Sequence, residues 1–283
     1  MSNKNSIEQP DNTAVRTALW RALHGLVDAK PLVIDDGVGL KLINPPEDWK
    51  ERPDMKFTGR IRASIVARAR FIEDLAMEKS RSGIGSYVLL GAGLDTFALR
   101  HPELSNSLNI YEIDQPSTLN WKKKRLQEPG FGIPENLHFV PVNFETENWR
   151  EELVKAGFDK EKPAFIACTG VTLYLAKEAI NQMLGEIKKF APGTVLAITF
   201  YLPVDEIGAE DKPLMEMSVK GAQAAGTPMV SFFKPAEIMA LANECGFKKI
   251  RIISTKDMEV LYFARRTDDL KPAEGEYFLV AEL

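Results

Sequence analysis

Beyond residue 86 the chain alternates two kinds of pattern. Short runs that are apolar and β-branched at their centre are separated by stretches whose apolar positions recur every three or four residues. A run that is apolar throughout is what a strand covered on both faces needs, and the three-to-four spacing gives a helix one buried face. The runs predict strands at 87–91, 108–114, 138–143, 164–169, 195–201 and 249–254, and the alternation at 277–283 predicts a further strand that adds to the sheet edge. Helices are predicted between them at 116–127, 147–156, 177–190 and 235–245; Pro116 and Pro235 stand at starts, Gly157 and Gly246 just past ends. Segment 259–266 fits strand and helix equally. The β-α-β-α rhythm implies an α/β protein with a mostly parallel sheet.

The first part of the chain reads differently. After a polar leader expected to fray, Ala14, Ala18, Leu19, Ala22, Leu23, Leu26 and Val27 recur at helical spacing up to Lys30-Pro31. Segment 35–54, with two glycines and three prolines, reads as irregular, and a second amphipathic helix is predicted over about 60–79. Ser80-Arg81-Ser82-Gly83 looks like a joint. The expected division is a helical N-terminal lid, 1–80, and an α/β core, 81–283, in which 202–231 is an insertion.

Composition narrows the class. At 283 residues, 45% hydrophobic and 27% charged, the chain has the makeup of a globular protein. Its 36 basic and 40 acidic residues leave a net charge of -4, which argues against nucleic acid as a partner. The basic run Lys122-Lys123-Lys124-Arg125 is expected to be a solvated helix face. Cys168 and Cys245 lie far apart without metal-ligand spacing, so neither a disulfide framework nor a metal site is indicated. With no apolar leader and no long apolar run, neither membrane insertion nor export is expected, and the chain reads as cytoplasmic.

The sharpest chemical feature is Val88-Leu89-Leu90-Gly91-Ala92-Gly93-Leu94-Asp95-Thr96, an apolar strand running into a glycine turn. Glycines there admit a ligand close to the backbone. The next strand ends in Tyr111-Glu112-Ile113-Asp114, and a carboxylate at that tip can accept both hydroxyls of a ribose. Glu112 and Asp114 share a strand face, but Asp114 stands at the carboxyl end, where ligands bind. A dinucleotide motif wants a third small residue where this chain has Thr96, which disfavours NAD; S-adenosylmethionine, with no pyrophosphate, suits the turn better.

The blocks VLLGAGLDTFALR and YEIDQPSTLNWKKKRL, with RARFIEDL before them and FIACTGVTLYL and SFFKPAEIMALANECGF after them, resemble the leucine carboxyl methyltransferases and related bacterial S-adenosylmethionine-dependent O-methyltransferases over about residues 10–283. The resemblance implies a class I methyltransferase (Rossmann-like) fold, with strand order 3-2-1-4-5-7-6 and N-terminal helices closing over the cofactor. It implies that Arg68 holds the methionyl carboxylate, for which a planar guanidinium fork is suited. Gly91, Ala92 and Gly93 would border the methionine and ribose, Asp114 would bind the ribose, Gln115 would be a further cofactor contact, and Asn143 and Phe144 would flank the adenine. Thr169 would lie beside the cofactor, and Tyr174 would face the acceptor.

Two positions depart from the family pattern. Asn143-Phe144 stands where relatives have Asp-Leu, and Thr169-Gly170 where they have Glu-Gly. Asn can still bond the adenine amino group and Phe144 can stack on the ring, whereas Thr169 removes a carboxylate from beside a sulfonium cation. Methyl transfer from an already activated donor needs positioning more than a nucleophilic side chain, so no triad is expected and no catalytic residue is assigned. His24, His101 and His138 are expected to be structural or exposed, and Cys168 a small core residue. Asn44-Pro45-Pro46-Glu47 resembles the loop of adenine N-methyltransferases but lacks its aromatic fourth member.

Met215, Met217, Met229, Phe232 and Phe233 make 202–231 an adaptable apolar cover for an acceptor. The expected activity is methyl transfer from S-adenosylmethionine, without a metal, to a carboxyl or hydroxyl of a small molecule. The alternatives are a nicotinamide-dependent oxidoreductase and a non-catalytic binding protein on the same fold.

Overall fold

The computed structural model describes residues 10, 12–144 and 146–283. Strand β1 (Ser86–Leu90) is buried from Tyr87 onward. Its alternate side chains enter two separate cores, Val88 and Leu90 on one face of the sheet, Tyr87 and Leu89 on the other. A strand covered on both faces has no polar side to show, which is why the run lacks alternation. The other strands are β2 (Asn109–Asp114), β3 (Leu137–Pro141), β4 (Phe165–Cys168), β5 (Val195–Tyr201), β6 (Lys248–Ile253) and β7 (Glu276–Glu282).

They form one sheet in the order β3-β2-β1-β4-β5-β7-β6. β1 to β5 pair in parallel, while β7 runs antiparallel between β5 and β6, so the C-terminal strand is not at the sheet edge expected from its alternation but inside the sheet, and β6 forms that edge. This is the mostly parallel seven-stranded α/β sheet, and the order, expected from the resemblance. The order reverses between β1 and β4, and a sheet of this kind opens a crevice at the carboxyl ends of those strands.

The helices are α1 (Asn12–Val27), α2 (Gly37–Ile43), α3 (Gly59–Arg81), α4 (Phe97–Arg100), α5 (Pro116–Leu126), α6 (Trp149–Lys155), α7 (Lys177–Ile187), α8 (Lys212–Ala224), α9 (Pro235–Glu244) and α10 (Thr255–Tyr262). α6, α7 and α9 cover one sheet face through Leu153, Ile180, Leu184 and Ile238. α3 covers the other through Val66, Phe71, Ile72 and Leu75, together with Phe97 of α4 and Met258 of α10. α1 rests on α2 and α3.

The structure refines the sequence expectations in several places. Of the polar leader, residues 1–9 and 11 lie outside the described residues, and α1 already begins at Asn12. Within 35–54, read as irregular, α2 forms because Asp36 Oδ1 accepts the Gly39 N–H at 2.9 Å and because Asn44, at φ +48°, closes the other end by donating to Leu40 O. The ambiguous 259–266 begins inside α10, which Ser254 and Asp257 open with a reciprocal capping box.

The basic run is not wholly solvated. Lys123 and Lys124 are exposed, but Lys122 is 0% exposed and paired with Glu112 at 2.5 Å. Cys168 is a buried free thiol, pushed up to about 12 by burial, as a core cysteine should be. Among the described residues no helix is long and apolar enough to cross a membrane.

Candidate active site

The turn after β1 is drawn onto β2 by its backbone. Gly91 and Ala92 both donate their N–H to Ile113 O, at 2.9 and 3.1 Å. Gly93 N–H then donates to Asp114 Oδ2, and Gln115 N–H to Asp114 Oδ1, each at 2.7 Å. These two bonds fix the plane of the carboxylate at the cavity wall. Gly91 has φ +75°, and a Cβ on it would fall 2.4 Å from Val171 Cγ2; Gly93 has φ +54°, and a Cβ would fall 3.3 Å from Ala14 Cβ of α1. Both glycines are required by conformation and by close approach.

A cavity of about 700 Å³ opens beyond this turn, at the carboxyl ends of β1, β2 and β4. Arg68, Gly91, Ala92, Gly93, Asp114, Gln115, Phe144, Thr169 and Tyr174 all border it. Asn143 does not: its backbone N–H donates to Glu147 Oε2 at 2.7 Å, one step behind Phe144, whose own surface is 40% exposed. Thr169 follows β4 directly, and Tyr174 ends the short 3-10 turn Thr172–Tyr174, which Thr172 anchors by donating Oγ1–H to Thr199 O at 2.5 Å.

Arg68 reaches the cavity from α3. Its Nη1 donates to Glu276 Oε1 at 2.8 Å, and both side chains are largely buried. Burial by itself would lower the pKa of the guanidinium, but the Glu276 carboxylate and the Tyr201 phenol beside it outweigh that and raise it. Arg68 therefore stays charged while enclosed.

The near wall is α1. Thr13, Ala14, Thr17 and Arg21, one helical face, border the cavity. Arg21 donates through Nε to Asp36 Oδ2 and through Nη2 to Leu94 O, each at 2.7 Å, so one side chain ties α1 to the glycine turn. Thr96, disfavouring a dinucleotide motif in the sequence, donates Oγ1–H to Asp36 Oδ1 at 2.7 Å. Burial opposes ionisation of Asp36, yet Arg21 and Arg100 lower its pKa overall. Lys122 Nζ holds the turn from beneath by donating to Asp95 O at 2.5 Å.

Sequence reasoning gave no role to Arg21, Glu73 or Asp95, which also contribute to the wall, nor to Glu276 behind Arg68; of the 202–231 segment, read as an acceptor cover, Gly226, Thr227, Pro228 and Val230 border the cavity. Arg21 could have been found, since it shares a helical face with Ala14 and Ala18. Glu276 carried no local signal, because its partner is 208 residues away. None of the three histidines borders the cavity. His24, 0% exposed, accepts the Val33 N–H at Nε2, so its Nδ1–H donates to Asp28; it is structural. No group of three or more His, Cys, Asp or Glu able to hold a metal occurs among the described residues.

The chain is similar to known proteins along most of its length. A Bacillus subtilis (strain 168) protein described as "Putative S-adenosyl-L-methionine-dependent methyltransferase YktD" is 31% identical over 95% of this chain and 96% of its own length. A Mycobacterium tuberculosis (strain ATCC 25618 / H37Rv) protein with the same kind of description is 31% identical over 71% of this chain and 69% of its own. Among solved structures, a methyltransferase-titled protein of Thermobifida fusca matches with a TM-score of 0.60, 15% identity and 99% coverage of both chains. A DUF574 family protein of Streptomyces avermitilis matches at 0.58, with 13% identity and coverage of 96% and 97%. At those identities the structures speak for the fold, that of class I methyltransferases. The sequence model of the leucine carboxyl methyltransferases matches residues 14–188, a span from α1 past α7 that holds both the glycine turn and Asp114. With a match of that extent, this chain belongs to the leucine carboxyl methyltransferase family and is an S-adenosylmethionine-dependent methyltransferase.

Proposed function

We propose that this enzyme methylates an oxygen of a small-molecule acceptor, a carboxylate in the first place and a hydroxyl in the second. The observation that carries the proposal is that each carboxylate of the cavity wall already has a structural partner in the protein, and no histidine borders the cavity. Glu73 is paired with Arg100, Asp95 Oδ1 accepts the Phe97 N–H, and Asp114 accepts two backbone N–H groups. None of them stands alone as an evident general base for an acceptor hydroxyl. An acceptor that arrives already ionised needs none, and at neutral pH the carboxylate is such an oxygen.

The cavity fits the cofactor. Its volume lies within the roughly 300–1,000 Å³ of ordinary ligand pockets. The glycine turn brings backbone to the cavity wall, Asp114 brings a carboxylate there for ribose hydroxyls, and Arg68 offers a fork to a carboxylate. In this reading Gly91, Ala92, Gly93 and Thr169 border the methionyl and ribose portions, Gln115 lies next to Asp114, Phe144 flanks the adenine with Asn143 behind it, and Tyr174 faces the acceptor. Bound there, S-adenosylmethionine supplies an activated methyl group, and the chain's part is to orient the acceptor and exclude water. The 1–80 segment acts as the closing element through α1, and 226–230 within 202–231 borders the acceptor side. Two free thiols among the described residues fit a cytoplasmic setting.

The test has two stages. Calorimetric titration should show binding of S-adenosylmethionine and S-adenosylhomocysteine but not NAD, with binding lost in folded Gly93→Asp and Asp114→Ala variants. Unchanged binding in both variants would refute the site. Labelled methyl transferred to a panel of carboxylic acids and phenols is then challenged with mild base. Release as methanol identifies an ester and supports the carboxyl reading, whereas stable label on a phenol moves the assignment to hydroxyl. Transfer to protein substrates alone would overturn the small-molecule assignment.

A further inference from the structure

The Arg68 guanidinium is held by two groups that the sequence patterns did not connect with it. The first is Gly170, in the turn after β4. A Cβ on Gly170 would fall 2.9 Å from Nη1 and 3.1 Å from both Cζ and Nη2 of Arg68. Three guanidinium atoms at nearly equal distance mean that the planar fork lies flat over the Gly170 position. Gly170 also has φ +68°, so the place is closed to a side chain both by conformation and by the arginine. Its N–H donates to Thr199 Oγ1 at 2.8 Å, which pins the turn to β5.

The second is Glu276, whose Oε1 accepts Nη1–H at 2.8 Å. Glu276 is the first residue of β7 and stands opposite Tyr201 in the antiparallel register, which sets the two side chains beside each other on one face of the sheet. The sheet thus determines where the carboxylate sits, and the carboxylate determines which way one nitrogen of the fork points. A long flexible side chain on a helix loses its rotamer freedom here before any ligand arrives, which is what a rigid carboxylate receptor requires.

We propose that Gly170 and Glu276 are positioning residues that aim the Arg68 fork at the carboxylate of the cofactor's amino-acid portion, with Tyr201 steadying Glu276. The proposal rests on the assignment of Arg68 to that carboxylate. It predicts a selective defect: recognition of the amino-acid portion suffers and recognition of the adenosine portion does not.

Two probes separate these portions. S-adenosylhomocysteine carries both; 5′-methylthioadenosine keeps the adenosine and the thioether but has no amino-acid group. Affinities of both are measured for the parent enzyme and for Arg68→Met, Glu276→Gln, Gly170→Ala and Tyr201→Phe. Arg68→Met is expected to weaken S-adenosylhomocysteine by at least about tenfold, the loss of one charge-assisted contact, and methylthioadenosine by less than about twofold. Glu276→Gln and Gly170→Ala are expected to reproduce that selectivity at about five- to thirtyfold, and Tyr201→Phe, the variant least disturbing to folding, at a smaller ratio.

If Arg68→Met is selective but the Glu276 and Gly170 variants leave S-adenosylhomocysteine within about twofold, the positioning role is wrong. Equal weakening of both probes by those variants would reveal a merely structural role and overturn it too. If Arg68→Met itself spares S-adenosylhomocysteine, the assignment of Arg68 falls, and the inference with it.

Discussion

Lys122 belongs to a run of four basic residues, yet it is the one with no exposed surface. Pro116 starts α5 in a register that turns Thr118, Leu119, Lys122 and Leu126 inward together, and the ammonium meets Glu112 of β2 and the carbonyl of Asp95. Burial pushes the Glu112 carboxyl up to about 7, and the Lys122 charge pulls against it. Removing one partner strands the other charge in the core. Lys122→Met is therefore expected to cost about 3–5 kcal/mol in denaturant unfolding, and Lys122→Met with Glu112→Leu to recover most of it. A single variant within about 1 kcal/mol of the parent would show that the pair is unimportant. The run's uniform charge hid this inward residue, because composition alone does not say which of four adjacent lysine and arginine side chains faces a core carboxylate. Asp114, by contrast, was legible: strand period and strand polarity together put it at the cavity.

At the scale of elements, α1 carries the clearest consequence. Its cavity face borders the open space and is fastened to the glycine turn by Arg21, so its order should depend on what fills the space beneath it. Amide exchange in α1 is expected to slow when S-adenosylhomocysteine binds, while the β1 to β5 amides change little; equal α1 protection with and without ligand would sink that expectation. The strands were readable because a run covered on both faces has a composition of its own. α2 was not, since a heptad with two glycines is a weak helix former until Asp36 caps it, and Asp36 is itself held by Arg21 and Thr96 from elsewhere in the chain. The start of α10 needed the reciprocal bonds of Ser254 and Asp257 to settle what periodicity left open.

The whole molecule joins α1, α3, α4 and the glycine turn through one buried polar network of Arg21, Asp36, Thr96, Arg100, Glu73 and His101. His101 lies between Glu73 and Glu103, whose hydrogen bonds raise its pKa, with Glu73 the larger cause. Its contribution to stability is full below the unfolded value of about 6.5 and is lost as pH rises through the higher folded value. Burial opposes ionisation of Glu73, but His101 and Arg100 lower its pKa overall, so its contribution is present above the unfolded value and lost on acidification. Thermal unfolding between pH 6 and 8 should accordingly show a decline on the alkaline side that His101→Gln abolishes. A variant that keeps the parent's slope would place the decline elsewhere.

What the sequence determined on its own was local: strands whose composition reports burial on both faces, a turn whose glycines report φ and close approach, and a carboxylate placed by the period of two. Those are properties of neighbouring residues and survive reading one window at a time. The tertiary structure alone decided which distant groups meet, that Glu276 holds Arg68 from 208 positions away, that Arg21 fastens a helix over the turn, and that Lys122 points inward. Such pairings depend on how helices seat on the sheet, and no local pattern encodes the partner of a buried charge.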